Sequence, residues 1–228
     1  MITVATWNVL HRVHAENYAE PVAAAWPDEA RRIAAVTARL AGRDEDVIAL
    51  QEVSGDQLAS LREVLAPEQV HAMSYPRVPT VRRGTPRLRD VSEHLVVIAR
   101  GERVAGDAFD GDPGKGFLAV RTGSALVVST HVGFGDARTA QLARLASLGD
   151  GPAVLLGDFN ADRETIAAGL GPGFTLAEFA PGAPPTRPGA RSPYIDHIAV
   201  REGVPGLATV EDAGGLSDHN LVVSLIGS

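Results

Sequence analysis

The sequence predicts a layered α/β sandwich, and three observations carry that expectation. Short apolar runs recur along the whole chain between stretches with helical spacing of apolar residues. Most runs lack a strict apolar–polar alternation, as strands do when both of their faces are covered. Many of them stop at an Asn, Gln, Glu, Asp or His.

The first run, residues 2–9, carries Trp7-Asn8 at its end. Residues 28–42 follow as a helix with Ala30, Ile33, Ala34 and Leu40 on one face and Gly42 as a stop. Val47-Ile48-Ala49-Leu50 leads to Gln51-Glu52, and residues 57–65 repeat the helical spacing with Leu58, Leu61 and Leu65 on the core side. Residues 75–90 hold Arg77, Arg82, Arg83, Arg87 and Arg89 among three prolines, so they read as a surface loop. Glu93 opens the next apolar run. Residues 117–120 and 125–128 flank Thr122-Gly123, a hairpin signal, and the second strand runs on to Ser129-Thr130-His131. A Gly-rich turn enters a helix over 136–148, and Val154-Leu155-Leu156 leads to Gly157-Asp158-Phe159-Asn160. Residues 180–193 form a second Pro/Gly-rich loop with Arg187 and Arg191, before Tyr194-Ile195-Asp196-His197 and the final Leu216-Ser217-Asp218-His219.

With 228 residues, 45% hydrophobic and 21% charged, the chain can bury a sizeable core. One domain over residues 1–228 is preferred to two small ones, because the polar strand ends draw on both ends of the chain. The net charge of −7 argues against coating nucleic acid by bulk attraction, which depends on Lys and Arg neutralising phosphates, though local basic patches stay open. The absence of cysteine excludes disulfides and thiolate ligands. No charged and apolar leader precedes the first strand, and no apolar stretch approaches the roughly 18 residues of a membrane helix. A cytoplasmic protein without membrane insertion is therefore expected. Lys115 stands alone beside twenty arginines, a bias read as genome composition, and no protein partner is legible.

Strands that end in Asn, Glu, Asp and His bring hard oxygen ligands and imidazoles to one edge of a rigid sheet. Phosphoester hydrolysis needs such a set: a cation to neutralise phosphate, a group to orient water, and donors for the developing charge. Asn8, Glu52 and Asp218 offer oxygens suited to Mg²⁺, with Mn²⁺ as a substitute. Asp158 and Asn160 could hold and polarise water, while His131 and His219 could donate to phosphate oxygens. Each motif alone also suits an ordinary strand end, turn or helix cap; six of them in one order carry the reading.

That order resembles the endonuclease/exonuclease/phosphatase superfamily: an Asn after the first strand, Gln-Glu, Thr-His, Gly-Asp-Phe-Asn, a strand Asp and a C-terminal Ser-Asp-His. Where many members carry Gly-Asn before the middle strand, this chain has Ser92-Glu93-His94, and Glu93 seven residues before Arg100 is similar to the deoxyribonuclease I branch. The resemblance implies a four-layer sandwich of two packed mixed β-sheets flanked by helices, with the site at one rim. It implies a metal at Asn8, Glu52 and Asp218, Asp158 and Asn160 at the water and phosphate, and two carboxylate–histidine pairs, Glu93 with His131 and Asp196 with His219. His94 and His197 match no such role.

The arginine loop precedes Glu93, so Arg82, Arg83, Arg87 and Arg89 could overhang the site and contact phosphates. Arg138 of an Arg-x-x-Gln with Gln141, and Arg191, are further candidates; all six also suit solvated surface positions. The expected function is a Mg²⁺-dependent phosphodiesterase, a DNase I-like endonuclease on DNA or RNA. The alternatives are the same chemistry on a nucleotide, inositol or sugar phosphate, phospholipid head group or biosynthetic intermediate, and a non-catalytic binding module of the same fold.

Overall fold

The computed structural model describes residues 1–227. Its elements, in chain order, are β1 (Ile2–Asn8), α1 (Arg12–Asn17), α2 (Pro21–Ala25), α3 (Glu29–Ala41), β2 (Val47–Ser54), α4 (Gly55–Val64), β3 (Val70–Ser74), β4 (Glu93–Ala99), β5 (Glu102–Phe109), β6 (Asp112–Thr122), β7 (Ala125–His131), α5 (Ala137–Ala146), β8 (Ala153–Asp158), α6 (Arg163–Leu170), β9 (Thr175–Leu176), β10 (Asp196–Arg201), β11 (Val204–Pro205), β12 (Thr209–Glu211) and β13 (Leu221–Gly227). One sheet has the order β11-β13-β1-β2-β4-β3, with β12 also on β13; the other has the order β5-β6-β7-β8-β10-β9.

Each sheet is mixed around one parallel pair, β1 with β2 and β7 with β8. Parallel neighbours need a crossover connection, supplied by α1–α3 in the first sheet and α5 in the second. The sheets pack face to face through Val4, Val47, Ala49, Leu95 and Val97 on one side and Leu118, Val127, Val154, Leu156 and Ile198 on the other. The outer face of the first sheet, Trp7, Ile48, Leu50 and Val96, takes α3 and α4 through Val36, Leu40, Leu58 and Leu61. The outer face of the second, Leu126, Val128, Leu155 and Ala199, takes α5 and α6 through Leu142, Leu145 and Ile166. Successive strand residues thus go to different apolar layers, which is why the runs read as continuously apolar. The result is two packed mixed sheets flanked by helices.

The helix predicted over 28–42 is capped by the Asp28 carboxylate, which accepts from the N–H groups of Ala30 and Arg31, and it ends at Gly42. Its buried face differs from the expected one. Ile33, Val36 and Leu40 are inside with Arg32 and Glu29, while Ala30 and Ala34 are exposed. Arg32 is buried because its guanidinium pairs with Glu29 and donates to the carbonyls of Val9, Leu10 and Leu216, so every donor direction it uses is satisfied inside. The 75–90 and 180–193 stretches are loops, as expected.

Gly157 sits where β8 runs closest to β7, opposite Thr130. A Cβ there would run into the Thr130 carbonyl, which explains the glycine before Asp158. Gly157→Ala should destabilise the protein by about 3 kcal/mol through overpacking, read as a lower urea midpoint at unchanged m-value.

Candidate active site

Strand periodicity builds the site. Val4, Thr6 and Asn8 alternate onto the inter-sheet face of β1, as do Val47, Ala49 and Gln51 on β2, Val127, Ser129 and His131 on β7, and Val154, Leu156 and Asp158 on β8. Moving toward the rim, the apolar layer gives way to a polar rung in which the Gln51 amide donates to Thr6 Oγ1 (3.1 Å) and across to Ser129 Oγ (3.4 Å). One step further lie the predicted site residues. His131, Asp158 and Asp196 stand directly opposite one another on β7, β8 and β10, and Asn8 lies beside Gln51 on the facing sheet. β4 and β10 run the other way, so their first residues, Glu93 and Asp196, reach the same rim.

Two backbone devices complete the rim. The β2–β4 register shifts between Leu50 and Val53, and Glu52 in that bulge has φ +57°. The bulge puts Glu52 on the pocket side beside Gln51, where strict alternation would send it to the helix layer. Asn8 Oδ1 accepts the Leu10 N–H (3.0 Å) and Asp158 Oδ1 accepts the Asn160 N–H (2.9 Å); both acceptors end central strands, and Leu10 and Asn160 have φ +58° and +48°. Non-glycine residues at positive φ cost energy unless the surroundings hold them, and they gather at functional sites. Here side-chain-to-backbone bonds do the holding.

Asp158 is the meeting point. Its Oδ2 accepts from the Asn8 amide (3.2 Å) and lies 3.3 Å from His131 Nε2 and 3.8 Å from His219 Nε2. The Asn8 amide also donates to Glu52 Oε1 (3.1 Å), whose other oxygen accepts the His11 N–H (3.2 Å). His219 is tethered through its carbonyl to Trp7 Nε1 (2.9 Å), and Ser217 Oγ donates to the Asn8 carbonyl (2.6 Å). Asp196 pairs with His219 Nδ1 at 2.9 Å. Burial opposes charge on this imidazole, but Asp196, helped by Asp158 and Asp218, outweighs it and raises the pKa to about 10.

Glu93 does not pair with His131. Its Oε2 lies 3.2 Å from His14 Nε2 and 3.8 Å from the Arg77 guanidinium, because α1 brings His14 to the rim beside Glu93. His131 instead meets the ammonium of Lys115, the one lysine of the chain. Burial and that neighbouring cation push His131 down to about 3, so it is neutral, with Nε2 accepting from Lys115 and Nδ1 buried without a partner among the described residues. His14 moves the other way: burial lowers it, yet Glu52 and Glu93 prevail and raise it. Lys115, His14, Arg77 and Arg187 all line the pocket and were missing from the predicted set. Arg77 and Arg187 stood in loops marked only as arginine-bearing, and nothing in local pattern distinguishes His14 or Lys115.

The predicted arginines are elsewhere. Arg82, Arg83, Arg87, Arg89 and Arg191 are exposed and outside the pocket. The loop is tied down by its backbone, Arg82 and Arg83 donating to Asn17 Oδ1 and Arg89 to Asp56. Arg138 donates to the Gly133 carbonyl, and Gln141 accepts the Gly133 N–H, so this pair steadies the turn after His131. His94 and His197 are buried against carbonyls, at Val53 for the first and at Ala161 and Tyr194 for the second.

The pocket encloses about 530 Å³ between Glu52, Lys115, His131, Asp158, Asp218 and His219. Asp158, Asp196 and His219 come within 4.8 Å of one another, but Asp196 and the Nδ1 of His219 are already engaged with each other at 2.9 Å. The hard-oxygen set fits a divalent cation better. Burial works against charge on Glu52, yet His14, Lys115 and the Asn8 amide hold it well below the usual carboxylate range, and Asp218 Oδ1 is buried without a partner among the described residues while Oδ2 takes Arg187 at 2.9 Å.

The two-sheet sandwich gathers buried carboxylates and imidazoles at one rim, the groups that phosphoester hydrolysis calls on. The chain belongs to the endonuclease/exonuclease/phosphatase family, whose model matches residues 5–219; its members are phosphoester hydrolases. A search of curated proteins found no match. Among solved structures the chain is similar to an endonuclease/exonuclease/phosphatase from Beutenbergia cavernae (TM-score 0.71, 22% identity, 99% of this chain and 71% of that one). It is also similar to a humanized D. rerio TDP2 (0.70, 15%, 100% and 99%) and to the Bacteroides thetaiotaomicron mannosyl-6-phosphatase Bt3783 (0.68, 16%, 100% and 100%). At these identities the likeness is one of fold. No helix of the described residues is long and apolar enough to cross a membrane.

His11, His131 and His197 are held near pKa values of about 4, 3 and 4 against 6.5 when free, each mainly by burial. The unfolded chain therefore binds more protons below pH 6.5, so stability falls as pH drops from there toward 4, by about 1.4 kcal/mol per pH unit for each proton taken up. Urea midpoints across that range check the slope. In NMR titrations, His131 should stay neutral above about pH 5, and Lys115→Met should raise its pKa by removing the adjacent cation.

Proposed function

We propose that the chain is a Mg²⁺-dependent phosphodiesterase, with Mn²⁺ as a substitute, that cleaves DNA or RNA. The observation that carries the reading is Asp158, a buried carboxylate on which Asn8, His131 and His219 converge from both sheets. Glu52, Asn8 and Asp218 would hold the cation, which when bound supplies charge neutralisation at the phosphate.

Asp158 orients the attacking water and takes its proton as the new O–P bond forms, with Asn160 fixing the carboxylate through its backbone N–H. His219, kept doubly protonated by Asp196, donates from Nε2 to the leaving oxygen as the old P–O bond breaks. Lys115, Arg77 and Arg187 place three cations around the phosphate, and His131 positions the Lys115 ammonium rather than donating itself. Burial of Asp158, His131 and His219 strengthens their contacts, because little water is left to screen them.

A second reading, the same chemistry on a small phosphoester, is favoured by the bounded pocket of about 530 Å³, which suits a compact ligand. The two separate on salt: activity on a polymer falls steeply with ionic strength, and activity on a small ester does not.

Rates on plasmid DNA, single-stranded DNA, RNA, bis(p-nitrophenyl) phosphate and phosphomonoesters should vanish in EDTA and return with Mg²⁺ or Mn²⁺. Asp158→Ala and His219→Ala should each lower kcat about 100- to 10,000-fold while the urea midpoint shows a folded protein. Near wild-type rates in both variants would sink the mechanism, and binding without turnover in the wild type would point to a binding module.

A further inference from the structure

The chain has six Phe, three Tyr and two Trp, and among the described residues only Tyr18 and Phe134 are strongly exposed, at 68% and 67%. Both line the active-site pocket. Exposed aromatic surface is costly to keep in water, and single exposed apolar residues elsewhere on this molecule are aliphatic. Two aromatics at one mouth therefore call for a ligand.

Tyr18 has a ring behind it, and Phe134 is placed by the backbone of its turn. Tyr18 caps the C-terminus of α1 and lies over the His14 ring, centroids 6.4 Å apart and planes 29° from parallel. His14 is itself fixed by Glu93 at 3.2 Å and packs 5.5 Å from His11. Tyr18 is thus the outermost member of a ladder of rings, backed on one side and open on the other. Phe134 projects from the turn after His131, between Gly133, which is tied to Gln141 and Arg138, and Gly135 at φ +67°.

Cations line the same pocket as these rings. Lys115, Arg77 and Arg187 lie inside the pocket, and Arg82 and Arg83 are tied by their backbone to Asn17, next to Tyr18. Cations and exposed aromatic platforms at one mouth are the two components with which proteins hold a nucleic acid strand whose bases are free. In a duplex the base faces are covered by their neighbours, so a ring can reach one only at an end, a gap or a flipped position.

We propose that Tyr18 and Phe134 stack on bases of the substrate and direct the site to unpaired strands, a specificity that rests on the nucleic-acid phosphodiesterase reading above.

The test compares a short fluorescein-labelled single strand, the same strand with abasic sites, and its blunt duplex. Binding is read by anisotropy in EDTA and turnover in Mg²⁺, for the wild type, Tyr18→Ala, Phe134→Ala, the double variant and Tyr18→Phe. The wild type should bind the base-bearing strand more tightly than the abasic one, and the double variant should weaken the former about 10- to 100-fold and erase the preference. Tyr18→Phe should keep affinity to within about twofold, since the ring does the stacking. Equal losses on base-bearing and abasic strands, no loss at all, or equally tight binding of the blunt duplex by the wild type would each overturn the proposal. Hydrolysis confined to sugar phosphates would overturn it while leaving the hydrolase chemistry standing. A wild type that turns over no phosphoester would remove the parent reading, and the anisotropy series would still decide the stacking.

Discussion

The site depends on a stitch between the two ends of the chain. Trp7 donates to the His219 carbonyl, Ser217 donates to the Asn8 carbonyl, and Arg32 clamps the carbonyls of Val9, Leu10 and Leu216 at once. These bonds hold the segment that follows the first strand against the segment that precedes the last. Without them the segment carrying Asp218 has no tie to the end of β1 at Asn8, and the imidazole of His219 loses an anchor that fixes it near Asp158. The stitch works because each donor is buried and finds a backbone acceptor, so breaking any one leaves an unsatisfied group in the interior. The β1–β13 pairing supplies the frame on which it closes.

Inside that frame, neighbouring charge decides what each histidine can do. His131 and His219 are both fully enclosed and both near Asp158, yet one is neutral and the other a cation. His219 shares its ring with a buried carboxylate, and His131 faces an ammonium. Burial opposes ionisation in both, so the sign of the nearest partner sets the outcome. The pair therefore differs in what it offers the pocket: a charged imidazole held by Asp196 on one side, and on the other a neutral one beside the Lys115 ammonium.

Geometry at the strand ends shows how a regular sheet is made to present irregular chemistry. Period-two alternation alone would bring Asn8, Gln51, His131 and Asp158 to the rim and send Glu52 to the helix layer. The bulge at Glu52 reverses that, and the left-handed residues Leu10 and Asn160 turn the chain away just past the side chains that matter. Three of the residues that shape the pocket, Leu10, Glu52 and Asn160, thus carry positive φ, and the hydrogen bonds of Asn8 and Asp158 hold two of them.

Much of this was legible in local pattern. Alternating apolar runs and helical spacings point to layered α/β architecture, and the order of polar strand ends names Asn8, Glu52, His131, Asp158, Asp196 and His219, all of which the structure gathers at one rim. These features are set by periodicity and by residue identity at strand termini, which a chain carries in its own neighbourhood. Partnership is different. That Glu93 takes His14, that Lys115 takes His131, that Arg187 holds Asp218, and that the loop arginines stay outside while Arg77 turns in are results of sheet register, a bulge and the position of α1 at the rim. Such contacts join residues 16 to 79 positions apart, and they are chosen by packing and by the need to satisfy buried charge, so they exist only once the two sheets have closed on each other.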